Sequence, residues 1–110
     1  MVNDILTKAG VEYAQGRFIR LPAGTYAVYF DDITVTTADR VASPEGAPRI
    51  YTHNVTVEVY EPVPDDATES AIEAELNAAG LEWDKQDRYW LKDIQRYQTV
   101  YDFTYTSKSK

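Results

Sequence analysis

The run from Arg49 to Glu61, RIYTHNVTVEVYE, sorts its side chains with a period of two. Tyr51, His53, Val55, Val57 and Val59 fall on one side, and Thr52, Asn54, Thr56 and Glu58 on the other. A helical period of about 3.6 would mix these two sets, so the segment predicts a strand with one buried and one wet face. Pro62 and Pro64 stop it. It is the clearest strand in the chain.

The flanking segments supply the other layer. Asn3 to Ala9 places Ile5, Leu6 and Ala9 on one stripe, with Asn3 as the expected cap and Gly10 where a left-handed C-terminal residue belongs. Asp66 followed by Glu69 forms an acidic capping pair for a second helix, from about Asp66 to Ala79. Its stripe is Ile72, Leu76 and Ala79, while Glu69, Glu73 and Glu75 are expected to project into solvent. Val11 to Ala14 is a candidate short strand. Thr25 to Asp31 and Ile33 to Thr37 each alternate, and a break at Asp31-Asp32 predicts a hairpin between them. Leu81 and Trp83 suggest a brief strand and Lys85 to Arg88 a polar turn. Tyr97, Thr99, Tyr101, Phe103 and Tyr105 line one face of a final strand, with residues 107–110 fraying. A faint echo links Ala9-Gly10-Val11-Glu12-Tyr13 with Ala79-Gly80-Leu81-Glu82-Trp83. The expected architecture is α+β: two helices on one face of a four- to five-stranded, mainly antiparallel (mixed) sheet, in the order α-β-β-β-α-β, forming a single domain over residues 1–110.

Composition narrows the chemistry. The chain has no cysteine and one histidine, which excludes disulfides, thiol nucleophiles and thiolate zinc sites, so no metal or cofactor is expected. No leader and no membrane-length apolar run is evident, and a soluble cytoplasmic protein is the expectation. A net charge of -7 opposes polyanion binding. That charge is uneven: residues 1–84 carry net -10 and residues 85–110 net +3, a division suited to stacking on copies or on a partner of opposite sign.

Catalysis is not expected. Asp31 and Asp32, as neighbours on extended chain, point to opposite faces. No sequence-near apolar shell surrounds Glu69 and Glu73 to raise a pKa. His53 falls in the buried register, where a core histidine is the favoured reading; a general base would need a carboxylate or hydroxyl partner that the sequence does not identify. Trp83, Lys85, Arg88, Tyr89, Trp90, Lys92 and Arg96 form an aromatic-basic stretch that reads better as a protein interface than as a nucleic-acid platform. Arg40 and Glu45, in the Pro- and Gly-containing loop from Ala38 to Pro48, extend that candidate interface, the loop acting as a flexible contact arm.

At YAVYFDD (26–32), HNVTVEVYE (53–61), the acidic helix, GLEWDKQDRYWL (80–91) and YQTVYDFTY (97–105), the chain resembles small tail-terminator or tail-completion proteins from the head-to-tail gene cluster of long-tailed phages and prophages of Gram-positive bacteria. The resemblance implies a virion structural protein assembled in the bacterial host cytoplasm. It implies a ring, commonly of six subunits, that caps the tail tube and docks to the head connector. The contact elements it implies are the loop at 38–48, the Asp31-Asp32 turn and the stretch from Trp83 to Arg96. Asp31, Asp32, Glu69, Glu73 and Glu75 are the candidate acidic lumen that repels DNA phosphates. The alternative is a monomeric protein-binding module using residues 83–96.

Overall fold

The computed structural model describes residues 1–18, 20–37 and 49–108. The loop at 38–48, with Arg40 and Glu45, lies outside the described residues, as do Ser109 and Lys110. The described chain forms α1 (Val2–Ala9), β1 (Glu12–Gln15), β2 (Tyr26–Thr37), β3 (Arg49–Glu61), α2 (Asp66–Ala78), β4 (Trp83–Lys85), β5 (Tyr89–Leu91) and β6 (Arg96–Lys108). The sheet order is β1-β2-β3-β6-β4, with β5 also on β6. All pairs are antiparallel except β1 with β2. The architecture is mixed α+β as expected, with six strands where four or five were anticipated and the order α-β-β-β-α-β-β-β in place of α-β-β-β-α-β, because two short edge strands precede β6.

The strand with the clearest alternation takes the centre. β3 pairs with β2 from Tyr60 opposite Tyr26 to Arg49 opposite Thr37, and with β6 from Glu61 opposite Tyr97 to Ile50 opposite Lys108. This long partner explains the first correction. β2 is one strand, and Asp31 and Asp32 sit mid-ladder opposite Val55 and Asn54 instead of making a turn. Neither residue brings the Gly or Pro chemistry a tight reversal needs, and the pairing with β3 runs through them unbroken although the apolar alternation changes phase there. Ser107 and Lys108 likewise extend β6 opposite Tyr51 and Ile50 and do not fray.

Both helices cover one sheet face. Val2, Ile5 and Leu6 of α1 and Ile72 and Leu76 of α2 pack on Ala27, Tyr29, Val55, Val57, Val59, Tyr101 and Phe103. Asn3 is not a cap; it sits inside α1 and accepts a hydrogen bond from the Tyr29 hydroxyl at 2.5 Å. The α2 cap is Asp65, one residue before the expected one. Its carboxylate accepts from the Thr68 backbone N–H at 3.1 Å and from the Thr25 hydroxyl at 2.8 Å, and these bonds hold its pKa below the usual carboxylate range. On the opposite face, Tyr26 is buried between Phe18, edge-on at 5.4 Å, and Tyr60, stacked at 5.1 Å. A parallel β1-β2 pair requires a crossover, and the segment after β1 brings Phe18 to this second face.

The echo between the two Ala-Gly segments is a repeated helix ending. Gly10 and Gly80 both have positive φ, 78° and 73°, and each lets the chain leave its helix toward an edge strand. The two edge strands pair in opposite senses, β1 parallel and β4 antiparallel, so the sheet topology is not repeated.

Burial stops partway along the sheet. Strands of 13 residues span about 43 Å, whereas the 13-residue helix α2 spans about 20 Å. On the helix-covered face, Ala27 and Tyr29 are buried but Ile33 and Val35 are 53% and 50% exposed. The far half of β2, β3 and β6 is therefore a three-stranded arm standing clear of the helices, consistent with molecular extents of 53 × 28 × 22 Å. Core and arm should respond differently to truncation. Leu76→Ala is expected to cost about 3 kcal/mol in urea unfolding, whereas Val35→Ala should cost under about 0.5 kcal/mol. Equal losses at the two positions would contradict this division.

Candidate functional site

Two groups of residues were singled out from the sequence, the aromatic-basic stretch and the acidic set, and the structure joins part of one to part of the other and scatters the rest. A further correction concerns α2. Glu69 does not project into solvent; it is buried against β6, and Glu73 is partly covered. What draws them inward lies on the opposite sheet edge. β4 and β5 run collinearly along β6, interrupted at residues 86–88; the register sets Lys85, opposite Tyr101, on the helix-covered face, and Arg88, within the interruption, reaches α2 as well. Lys85 Nζ sits 2.8 Å from Glu69 Oε1 and 2.7 Å from Glu73 Oε2. Arg88 Nη2 donates to Glu69 Oε2 at 2.5 Å and to Asp66 Oδ1 at 2.6 Å.

Glu61, the last residue of β3, completes this cluster. It is fully buried, with Oε1 3.4 Å from Arg88 Nε and Oε2 accepting from the Asp65 backbone N–H at 3.1 Å. The Thr99 hydroxyl lies 3.4 Å from both Glu61 Oε1 and Glu69 Oε2. The Tyr101 hydroxyl donates to Glu73 at 2.7 Å. Four carboxylates thus face two cations. Burial, and then the adjoining Glu69 carboxylate, push the Glu61 pKa up to about 7. Burial also acts to raise that of Glu69, but the hydrogen bond from Glu61 together with Lys85 and Arg88 outweighs it and leaves Glu69 below the usual range. One proton held by Glu61 and donated to Glu69 accounts for both directions. Burial and the Glu73 carboxylate raise the Tyr101 pKa in turn.

The sequence held a signal for Glu61 that went unread. It continues the odd-numbered register of Tyr51 to Val59, so the same alternation that marks the core places a carboxylate inside it. Thr99 follows from the β6 register in the same way.

The aromatic-basic stretch divides. Trp83 is half-buried on the edge of Tyr101, with its indole N–H on Asn77. Lys85 and Arg88 are committed to α2. Arg96 turns to the Ala23 carbonyl at 3.0 Å, with its Nε buried and unpaired among the described residues. Tyr89 and Trp90 remain exposed at 51% and 46%, Trp90 edge-on to Tyr97, and Lys92 is exposed beside them.

The candidate acidic set also divides. Asp31 faces the helix side of the sheet and contacts His53 at 2.9 Å. Glu75 borders a cleft of about 450 Å³ between the helices with Asp4 and Lys8. Asp32 points to the other face, where it shares a cavity of about 600 Å³ with Glu82, Asp84 and Asp102. Among the described residues, no group of three or more His, Asp or Glu side chains is placed to hold a metal ion. No described helix is long and apolar enough to cross a membrane. No family model and no curated protein matches the chain.

The buried cluster generates two predictions. The Glu61 pKa is raised in the folded state, from an ordinary 4.5 to about 7, so its contribution to stability is complete below pH 4.5 and lost as pH rises toward 7. Glu69 acts oppositely, its contribution being present above its ordinary value of 4.5 and lost on acidification. Thermal melts at fixed ionic strength should show the midpoint falling between pH 5 and 8, and Glu61→Gln should flatten that fall. An unchanged slope in the variant would rule out the shared proton. Arg88→Met should cost about 3 kcal/mol, because it strips the buried Glu69 of a partner, and urea unfolding measures it.

Proposed function

We propose that this chain is a self-associating structural subunit of a phage or prophage head-tail junction, of the tail-terminator kind, whose work is done by shape and surface potential. The observation that carries the reading is the arm. The β2 strand from Phe30 onward has β3 on one side and, among the described residues, no strand on the other, since β1 ends opposite Tyr29. That outer edge carries exposed Phe30, Ile33 and Val35, with neither Pro nor Lys to blunt it. An open strand edge bearing apolar side chains is the kind of surface that ordinarily pairs with another chain.

The resemblance at residues 26–32, 53–61, 80–91 and 97–105 supplies the tail-terminator identity, a ring of about six copies on the tail tube, and docking to the head connector in the virion. Charge supports the same reading. A net charge of -7 per copy disfavours retention of passing DNA, and sequence-specific nucleic-acid binding is not part of the role. The lumen expectation takes a different set of residues in this reading. Glu69 and Glu73 are neutralised internally, so the wet face with Asp32, Glu82, Asp84 and Asp102 is the one that would meet phosphate. A second reading, a monomeric binding module, draws on exposed Tyr89 and Trp90.

Light scattering and native mass spectrometry over a concentration series separate the two. A subunit should associate as concentration rises, and Ile33→Lys with Val35→Lys should weaken association at least about tenfold, since each buried aliphatic side chain contributes about 1.5 kcal/mol or more. A particle that stays at 12.5 kDa throughout would favour the module.

A further inference from the structure

His53 acquires in the fold both partners that its sequence context lacks. Asp31 on β2 places Oδ2 2.9 Å and Oδ1 3.1 Å from His53 Nδ1. Ser107 on β6 places its Oγ 3.0 Å from His53 Nε2. The contacts are diagonal across adjacent strands, because Ile33 is opposite His53, and His53 is opposite Tyr105. Tyr105 stacks on the imidazole at 4.2 Å and 5°, which fixes the plane of the ring. The His53 and Asp31 side chains are 13% and 14% exposed, whereas Ser107 is exposed.

The hydrogen-bonding roles follow from this arrangement. An ionised carboxylate only accepts, so Nδ1 carries the hydrogen toward Asp31. In the neutral ring Nε2 then bears the lone pair, and the Ser107 hydroxyl donates to it. A base oriented by a carboxylate and bonded to a hydroxyl is the arrangement that activates a serine nucleophile, recognised by geometry and role and not by chain order.

We propose that Ser107 is an activated nucleophile that takes an acyl group from small, activated esters. Ser107 Oγ attacks the ester carbonyl carbon and its proton passes to His53 Nε2. The carbonyl-to-leaving-group C–O bond breaks, and the departing oxygen takes the proton from His53. Water, deprotonated by the same nitrogen, then cleaves the acyl-serine and restores the hydroxyl. Ser107 stands on an open sheet face opposite Tyr51, which suits a small acyl donor whose good leaving group requires little stabilisation of the oxyanion. The inference does not rest on the assembly reading, which uses the apolar side chains of the β2 edge, although Asp31 stands on the same strand.

The test uses the full chain with p-nitrophenyl acetate, followed by nitrophenolate release and by peptide mass spectrometry, with a fluorophosphonate as a second label. Ser107 should be modified at least about tenfold faster than Ser109 on the same chain, and His53→Gln should slow it about a hundredfold. Asp31→Asn should slow it as well, with Ser107→Ala abolishing the stoichiometric burst. Modification of Ser107 in the unaltered protein at no more than the rate of Ser109 would overturn the proposal whether or not the variants fold. So would labelling that is unaffected in a folded His53→Gln protein.

Discussion

A strand gains about 3.3 Å per residue and a helix 1.5 Å, and the whole molecule follows from that mismatch. β3 and β6 are each as long in residues as α2 and more than twice as long in space. Two helices of 8 and 13 residues can bury only part of one sheet face, so the core closes around Tyr29, Val55 and Phe103 and the sheet continues past it. The arm is therefore a geometric remainder of the lengths of the elements, held together by the uninterrupted ladders on both sides of β3.

The helical layer needs a device to fix it on so long a sheet. Apolar packing alone would let α2 slide, because Val55, Val57 and Val59 offer similar surfaces at successive steps. The buried carboxylates of α2 meet Lys85 and Arg88 at one place only, where the edge strand is interrupted, and the Asp65 cap ties the start of the helix to Thr25. Replacing such a cluster by apolar side chains can leave stability unchanged, so its clearest contribution is to position. Tyr101 joins this polar layer to the core below, its hydroxyl on Glu73 and its ring under Trp83.

Much of this was legible in the sequence, and the failures have specific causes. The β3 alternation predicted its two faces, while its place at the centre of the sheet came only from the pairing. The apolar stripes and terminal glycines located both helices to within a residue or so. Asp31-Asp32 misled because adjacent acids look like a turn, whereas a strand in solvent tolerates them, particularly when one finds a histidine across the sheet. Glu69 misled because burial was judged from its neighbours along α2, while the groups that cover it come from β4 and the following segment, 16 and 19 residues away. The relay of Asp31, His53 and Ser107 spans 76 positions and three strands, and no local pattern encodes it. Only the register does, and the register depended on β2 being one strand.

The end of burial at Tyr29, Val55 and Phe103 also sets two regimes of evolutionary freedom. Inside that line a substitution must be answered by a neighbour in the same chain: Ile5 against Leu76, Glu69 against Arg88. Outside it, Phe30, Ile33 and Val35 are largely exposed among the described residues, and their identity can follow whatever surface they meet. One scaffold could in this way be refitted to different neighbours by changes confined to a few positions on one strand, leaving the folding of the rest untouched.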